Sequence, residues 1–343
     1  MSKQESKAAP LMAERPIRGR RLLSGVQPSG LLHLGNWFGA MQQHIELQHD
    51  NDAFYFIANY HSLTTVQDAK RLRELTRNVA LDYLALGLDP SRARLFRQSD
   101  VPEVTELAWL LAVLVGMGDL ERAVSYKDKV SRGIPATAGL FTYPLLMAAD
   151  ILIYGSEVVP VGEDQVQHIE MTRRFATRFN TEYGAEVFTL PQALLNEART
   201  VPGLDGQKMS KSYGNTIDLF AAPKVARKAI MSIVTDSTPV EDPKDPERCN
   251  AFAILKLLVS AEEAAAWAER YRTGPLGYGE VKLRIFERYG EVFGPARERR
   301  EALAADPDMV EDILIDGARR AREVAVGVMD AAREACGIVT GRR

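Results

Sequence analysis

Two short phrases of this 343-residue chain carry residue types suited to holding polyphosphate. The first is Gln27-Pro28-Ser29-Gly30-Leu31-Leu32-His33-Leu34-Gly35-Asn36. A helix start presents unpaired backbone N–H groups and the positive end of a dipole, so an anion is stabilised there. Gly35 lets a nucleotide approach the backbone closely, and His33 and Asn36 add polar groups facing that space. The same residues also make a capped, Gly-rich turn, and taken alone the two readings weigh equally. The second phrase is Lys208-Met209-Ser210-Lys211-Ser212, with Gly203 and Gly206 before it and Gly214 after it. Two lysines three apart bring two point charges to one polyphosphate and can follow charge onto departing pyrophosphate. A solvated basic loop is the commoner outcome for a Lys/Ser run.

Two further stretches pair apolar walls with isolated polar groups. Asp150 closes the run Thr142-Tyr143-Pro144-Leu145-Leu146-Met147-Ala148-Ala149 and is followed by Ile151-Leu152. A carboxylate buried there without a partner costs on the order of 3 kcal/mol or more, so something satisfies it. A neighbouring helix end or an internal arginine is the plainer answer. An apolar pocket with one buried acceptor also suits an indole, whose ring nitrogen only donates. Such a pocket rejects analogues lacking the donor by roughly 10⁴ or more. The fourth stretch, Val159-Pro160-Val161-Gly162-Glu163-Asp164-Gln165-Val166-Gln167-His168, reads as a strand that ends in Gly and opens into acids and amides. Those groups cap a helix, face a ligand, or do both.

The elements that must position these groups alternate along the chain. Leu22 and Leu23 lead into the first phrase, and Trp37, Ala40, Met41 and Ile45 then share one helical face. Phe54-Tyr55-Phe56-Ile57 reads as a buried strand, Leu95-Phe96 as another, and Val158 to Val161 as a third. Pro160 must sit where no ladder donor is needed. Between them, Leu72, Leu75, Val79, Tyr83 and Leu86 recur at helical spacing, with Gly87 as a stop. Strands alternating with helices predict a mostly parallel, Rossmann-like α/β sheet whose ligands bind beyond the strands' carboxyl ends. After about Asn215 helical periodicity takes over, and Pro239, Pro243 and Pro246 punctuate a polar loop. A final helix is predicted from Met309, with Leu314, Ala318, Ala321, Val324 and Val328 on one face and Arg319, Arg320 and Arg322 on or beside the other. The division expected is a disordered tail over 1–21, a Rossmann-like catalytic domain over 22–217, an all-helical domain over 218–308, and a C-terminal helix over 309–343 that packs back toward the catalytic domain.

Composition bounds the reading. The chain is 46% hydrophobic and 26% charged, with a net charge of −3. A nucleic-acid partner therefore needs local basic patches. Cys249 and Cys336 are the only cysteines, which excludes a disulfide framework or a cysteine zinc site and fits a reducing cytoplasm. The polar start ends in Arg15, Arg18, Arg20 and Arg21 and lacks the apolar core of a targeting signal. The run from Leu107 to Val115 is too short to span a membrane and reads as a buried helix.

Together the two phosphate phrases resemble the ATP-binding signatures of class I aminoacyl-tRNA synthetases. His33-Leu34-Gly35-Asn36 matches the His-Ile-Gly-His type, with Asn36 in the last place, and Lys208 to Ser212 matches the second signature letter for letter. With all four phrases in order, the chain from about Leu22 resembles a bacterial-type tryptophanyl-tRNA synthetase. The resemblance implies that Gln27, Pro28, Ser29, His33, Gly35, Asn36, Gly162, Glu163, Asp164 and the Lys208–Ser212 loop bind ATP, with Val201 joining them. It implies that Lys208, Lys211, Lys129 and Gln27 act on the reacting phosphates, Lys127 being the plain alternative to Lys129. Asp150 would accept the indole N–H, Leu23, Met147, Val159 and Val161 would line the ring, and Tyr143 and Gln165 would hold the α-amino group beside His61. ATP as substrate with Mg²⁺, L-tryptophan, tRNA(Trp) and a second copy of the chain are the implied partners, with no membrane. The Ala108–Val115 run is the candidate interface between copies, and core packing explains it equally. Gly277-Tyr278-Gly279-Glu280-Val281-Lys282 resembles a phrase of the family's anticodon-binding region.

Two positions depart from the family pattern. Leu23 stands where an aromatic is usual, and Asn59 where an acid is common. Both bear on substrate stringency, and the tail before Leu22 is extra. Two other readings share these features. A small-molecule nucleotidyltransferase shares the first signature and the sheet, but generally lacks the lysine loop and the helical region. An auxiliary synthetase paralogue would activate tryptophan derivatives or act through an additional protein partner.

Overall fold

The computed structural model describes residues 17–123, 131, 133, 135–195 and 201–338. Residues 1–16 of the expected tail, and both Lys127 and Lys129, lie outside the described residues. Five strands, β1 (Arg21–Val26), β2 (Asp52–Ile57), β3 (Arg94–Arg97), β4 (Val158–Val161) and β5 (Gln192–Leu195), pair in the order β3-β2-β1-β4-β5. Every pairing is parallel. Chain order reverses between β1 and β4, and in such a sheet the ligand crevice opens at that switch point, beyond the carboxyl ends. β2 is buried from Ala53 to Ile57, as a parallel strand covered on both faces must be. β4 meets β1 only at Leu22↔Val158, so Pro160 comes after that ladder has ended and interrupts nothing on this side. β5 was not predicted, because Gln192-Ala193-Leu194-Leu195 carries no β-branched or aromatic residue. Its place at the sheet edge comes from pairing with β4 alone.

The helix after β1 is not uniform. It runs as α1 (Leu34–Asn36), a π turn (Trp37–Met41) and α2 (Gln42–Leu47). π turns are uncommon and concentrate at functional sites. A short α3 (Asn59–Ser62) follows β2, then α4 (Ala69–Ala85), capped by Asp68, whose side chain accepts from the N–H groups of Lys70 and Arg71. Beyond β3 come α5 (Glu103–Ala112), α6 (Met117–Glu121), α7 (Ala138–Leu152) and, after β4, α8 (Val166–Glu182). The segment read as a buried helix is buried along one side only. Leu107, Leu110 and Leu111 face the core, while Trp109 is 68% and Val113 57% exposed.

From residue 223 on the described elements are helical: α9 (Pro223–Met231), α10 (Asn250–Leu258), α11 (Ala261–Thr273), α12 (Tyr278–Ala305) and α13 (Pro307–Ala335), with one short 3₁₀ turn at Pro246–Arg248. α12 is tied to α4. Arg300 donates to Asp82 and to Asn78 Oδ1 (3.0 Å), and Arg299 Nε donates to the Ala85 carbonyl at 2.9 Å. α13 then returns to the sheet. Its Gly317 lies so close to β3 that an added Cβ would stand 2.1 Å from the Leu95 carbonyl oxygen. Ala318, Ala321, Ala325 and Met329 share a buried cluster with Leu23, Phe54 and Phe96 of the sheet. The arginines of this helix are engaged within the chain. Arg322 bonds Glu103 at 2.7 Å, Arg320 donates to the Pro90 carbonyl at 2.6 Å, and Arg319 pairs with Asp316 and Glu323. Among the described residues, no helix is long and apolar enough to cross a membrane.

Candidate active site

The cleft beyond β1 and β4 holds about 450 Å³. Its apolar wall is Leu23 and Phe56 from the strands, Met147 from α7, and Val159 and Val161 from β4. Gln27, His61, Tyr143, Asp150, Gln165 and His168 supply the polar groups. The sequence reading thus placed ten residues that converge here, Gly162 among them, from four separated segments. Gly25 must be glycine at this wall, since a Cβ would come within 2.5 Å of Phe56 Cζ.

At the floor, Asp150 is 2% exposed. His61 Nε2 lies 2.8 Å from its Oδ2, and Gln98 Nε2 donates to both oxygens at 2.9 Å. Burial raises the Asp150 pKa, and the hydrogen bonds from His61 and Gln98 pull it back. The carboxylate is therefore satisfied by a histidine and an amide, not by the neighbouring helix end or internal arginine that was the plainer expectation. Gln98 was missed by the sequence reading. A polar residue directly after the buried Leu95-Phe96 strand was the available signal, since a strand's carboxyl end faces the crevice. Across the cleft, the Tyr143 hydroxyl lies 2.7 Å from His168 Nε2, and burial pushes that phenol up to about 12. Tyr143 is thus a neutral hydrogen-bonding group at the wall. Gln165 donates to Asp164 Oδ2 at 2.8 Å, and a Cβ on Gly162 would approach Asp164 Oδ1 to 2.8 Å. The turn Gly162-Glu163-Asp164-Gln165 thus opens α8 with its acids exposed at the cleft's mouth.

The two glycine-flanked phrases meet at the other side. Leu34 N–H donates to the Ile217 carbonyl (3.0 Å) and Leu219 N–H to the Leu32 carbonyl (2.9 Å). The first phrase is thereby stitched to the chain just after the lysine loop. His33 N–H donates to Asn36 Oδ1 at 3.0 Å, so in this structure Asn36 caps the helix start. The His33 ring is buried, and burial, helped by the Lys211 charge, lowers its pKa to about 4. Gly35 lies against that ring and Met209, where a Cβ would stand 2.9 Å from His33 Nδ1. Pro28 is buried, whereas Gln27 and Ser29 are exposed.

The lysine loop is fixed at its base and open at its tip. Met209 is buried and donates its N–H to the Val201 carbonyl at 2.9 Å. Val201 is itself a core residue, so its link to the site is through that carbonyl. Asn215 holds the loop's shape. Its Oδ1 accepts Ser210 N–H (2.8 Å) and its Nδ2 reaches Asp205 (2.7 Å) and the Lys208 carbonyl (3.3 Å). It fills the space where Gly203 would carry a side chain, leaving only 2.2 Å. Lys208, Lys211 and Ser212 are exposed. Lys211 Nζ would lie 3.4 Å from a Cβ on Gly30, so the ammonium faces the first phrase. Partial desolvation lowers the Lys211 pKa, and Asp218 and Asp82 oppose that.

The chain is similar to known proteins over nearly its whole length. The family model described as "tRNA synthetases class I (W and Y)" matches residues 16–294. A tryptophan–tRNA ligase of Rhodopirellula baltica is 56% identical over 319 residues, covering 93% of this chain and 99% of that protein. The crystal structure of tryptophanyl-tRNA synthetase from Campylobacter jejuni complexed with ADP and tryptophan superposes with a TM-score of 0.88 at 48% identity, covering 92% and 99% of the two chains. A tyrosyl-tRNA synthetase from Archaeoglobus fulgidus, 22% identical with a TM-score of 0.63 over 82% of this chain and 90% of that one, shares the fold. The sheet order, the stitched signature loops and the near-full-length identity agree that the chain belongs to the class I tRNA synthetases of tryptophan and tyrosine, within their bacterial tryptophan–tRNA ligase branch.

Proposed function

We propose that this chain is a tryptophan–tRNA ligase, activating L-tryptophan with ATP and passing it to the 3′ end of tRNA(Trp). The observation that carries this reading is a buried carboxylate, Asp150, at the floor of an apolar cleft that also takes in Gln27, at the start of the first signature phrase, which is stitched to the chain just after the lysine loop. The ring would lie between Leu23, Met147, Val159 and Val161 and donate its N–H to Asp150. Tyr143 and Gln165 would take the α-amino group. A tryptophan carboxylate oxygen then attacks the α-phosphorus of ATP, and the bond from that phosphorus to pyrophosphate breaks. Gln27, Ser29, Gly35, Glu163, Asp164 and the Lys208–Ser212 loop would hold the nucleotide. Lys208 and Lys211 would follow the charge onto the leaving group, with Lys129 as a third cation. Mg²⁺ would arrive with ATP and supply positive charge to its phosphates, so that no protein ligand cluster is needed. In the second step a ribose hydroxyl of the tRNA attacks the adenylate carbonyl, releasing AMP. Positioning and fixed charge carry both steps.

The division at about residue 217 follows the change from sheet to helices. We assign the α9–α12 region to the tRNA anticodon, and the reaction to the cytoplasm, where free Cys249 and Cys336 are at home. The open side of α5 and α6, with Trp109, Val113 and Met117 exposed at 68%, 57% and 64%, is the face for a second copy. Trp109→Glu should yield monomers in sedimentation; an unchanged dimer would move the interface elsewhere.

Tryptophan-dependent ATP–pyrophosphate exchange, run beside tyrosine and followed by charging of tRNA(Trp), tests the assignment. Exchange with tryptophan alone supports it, and no exchange in folded protein overturns it. Lys211→Ala should slow adenylate formation by about a hundredfold or more while ATP binding weakens little, because its charge matters most as pyrophosphate leaves. A wild-type single-turnover rate would remove that role.

A further inference from the structure

Gln98 is almost completely buried, and its amide is used at both ends. It is 1% exposed and follows β3 directly. Its Oε1 accepts the backbone N–H groups of Tyr60 (3.0 Å) and His61 (3.4 Å), in the first turn of α3. Its Nε2 donates to Asp150 Oδ1 and Oδ2, both at 2.9 Å. The oxygen and nitrogen of a glutamine amide are hard to tell apart by shape, but here the partners decide. Turning the amide over would set its NH₂ against two N–H groups and its oxygen against a carboxylate. Gln98 is thus locked with its donor toward Asp150.

That lock has a consequence for the carboxylate. A buried acid escapes the cost of its charge by taking a proton, and it then becomes a donor on one oxygen. A fixed donor facing both oxygens opposes this, because a protonated oxygen would meet N–H with O–H. His61 Nε2 at 2.8 Å takes a further site on Oδ2. Among the described residues, Oδ1 is engaged by Gln98 alone, which leaves it an acceptor direction toward the cleft. We propose that Gln98 is the positioning residue that keeps Asp150 an acceptor, so that the site's demand for a ring N–H is set by a side chain that never touches the substrate. The same amide, by holding the N–H groups of residues 60 and 61, also fixes where His61 meets the carboxylate. This inference rests on the reading of Asp150 as the indole acceptor.

The test compares two substrates that differ only at the donor: tryptophan, and its 3-benzothienyl analogue, in which sulfur replaces the ring N–H. Both are measured by ATP–pyrophosphate exchange in the full chain. Gln98→Met keeps length and bulk but removes the amide. Its KM for tryptophan should rise by about tenfold to a hundredfold, with kcat nearly unchanged, because a hydrogen bond to a charged group is lost. The benzothienyl KM should stay within about twofold, so discrimination collapses from one side. A role in packing alone would weaken both substrates equally, and that result overturns the proposal, as does an unchanged tryptophan KM. If Gln98→Met does not fold, Gln98→Asn carries the test. It retains a polar amide but is one methylene too short to span from residues 60 and 61 to Asp150, and the same selective loss is expected. Asp150→Asn is run alongside to separate the two claims. Selective loss in Asp150→Asn with non-selective loss in the Gln98 variants sinks only the role of Gln98. Non-selective loss in both sinks the acceptor reading as well.

Discussion

Asp150 and Asp82 are both buried carboxylates on helices of the catalytic half, and they are handled in opposite ways. Burial raises the pKa of each. Asp82, in α4, meets the guanidinium of Arg300 from α12, and among the described residues its Oδ2 has no hydrogen-bond partner. Asp150, in α7, has an amide and a histidine on its oxygens and lies in the cleft wall. A guanidinium from another helix opposite a carboxylate ties the two helices together and makes a joint. An amide and an imidazole leave it still able to receive a donor. The choice of partner, more than burial itself, separates a structural carboxylate from one kept for a ligand.

The sharpest way to break that comparison is to remove each acceptor. Asp150→Asn should raise the tryptophan KM by about a hundredfold or more, because its amide can turn an NH₂ toward the indole. Its unfolding midpoint in urea should shift little. A normal KM in exchange assays would place Asp150 with Asp82 as a structural group. Asp82→Ala should do the reverse. It leaves Arg300 without its partner at the α4–α12 joint and should cost about 3 kcal/mol in urea denaturation, with KM values unchanged in the remaining folded enzyme. Unaltered stability would show that the joint is held by Asn78 and the Ala85 carbonyl instead.

The smallest effect expected is on pH dependence. Burial lowers His44 to about 4, as it does His33, so the folded state resists protons that the unfolded chain takes up below about 6.5. Each histidine therefore removes stability as pH falls from about 6.5 to about 4. Asp82 is raised to about 6, so the folded state binds a proton that the unfolded chain has released above about 4. That contribution grows as pH falls through the same window and offsets part of the loss. In Asp82→Asn the offset is gone, and unfolding free energy should drop more steeply between pH 6 and pH 4 than in the parent. Parallel curves would mean that Arg300 keeps Asp82 ionised throughout.

Legibility in the sequence followed the same division between local pattern and three-dimensional pairing. Phe54 to Ile57, Leu95-Phe96 and Val158 to Val161 announced strands through apolar, aromatic and β-branched runs, and the parallel α/β order followed from alternation. The wall residues Leu23, Met147, Val159 and Val161 were legible because the phrases containing them are contiguous and resemble a family. β5 was not, because its residues have no strand preference and its edge position is set by β4. The π turn at Trp37–Met41 left no local mark either. Gln98 and His168 were hidden for another reason. Their roles exist only through partners 52 and 25 residues away, Asp150 and Tyr143, and no spacing rule connects such positions. Asn36 read equally as a ligand group or as a cap, and in this structure its side chain caps the turn.

The packing of Gly317 against Leu95 has a temporal side. A ribosome releases all five strands before it releases α13, and β3, from whose end Gln98 projects, stays uncovered on that face until then. The nascent chain can form its strands and both signature loops, yet Leu23, Phe54 and Phe96 must wait for Ala318, Ala321 and Met329 to complete their cluster. A message broken before the codon for Gly317 would therefore yield a sheet whose β3 face, at the end from which Gln98 projects, has lost its cover.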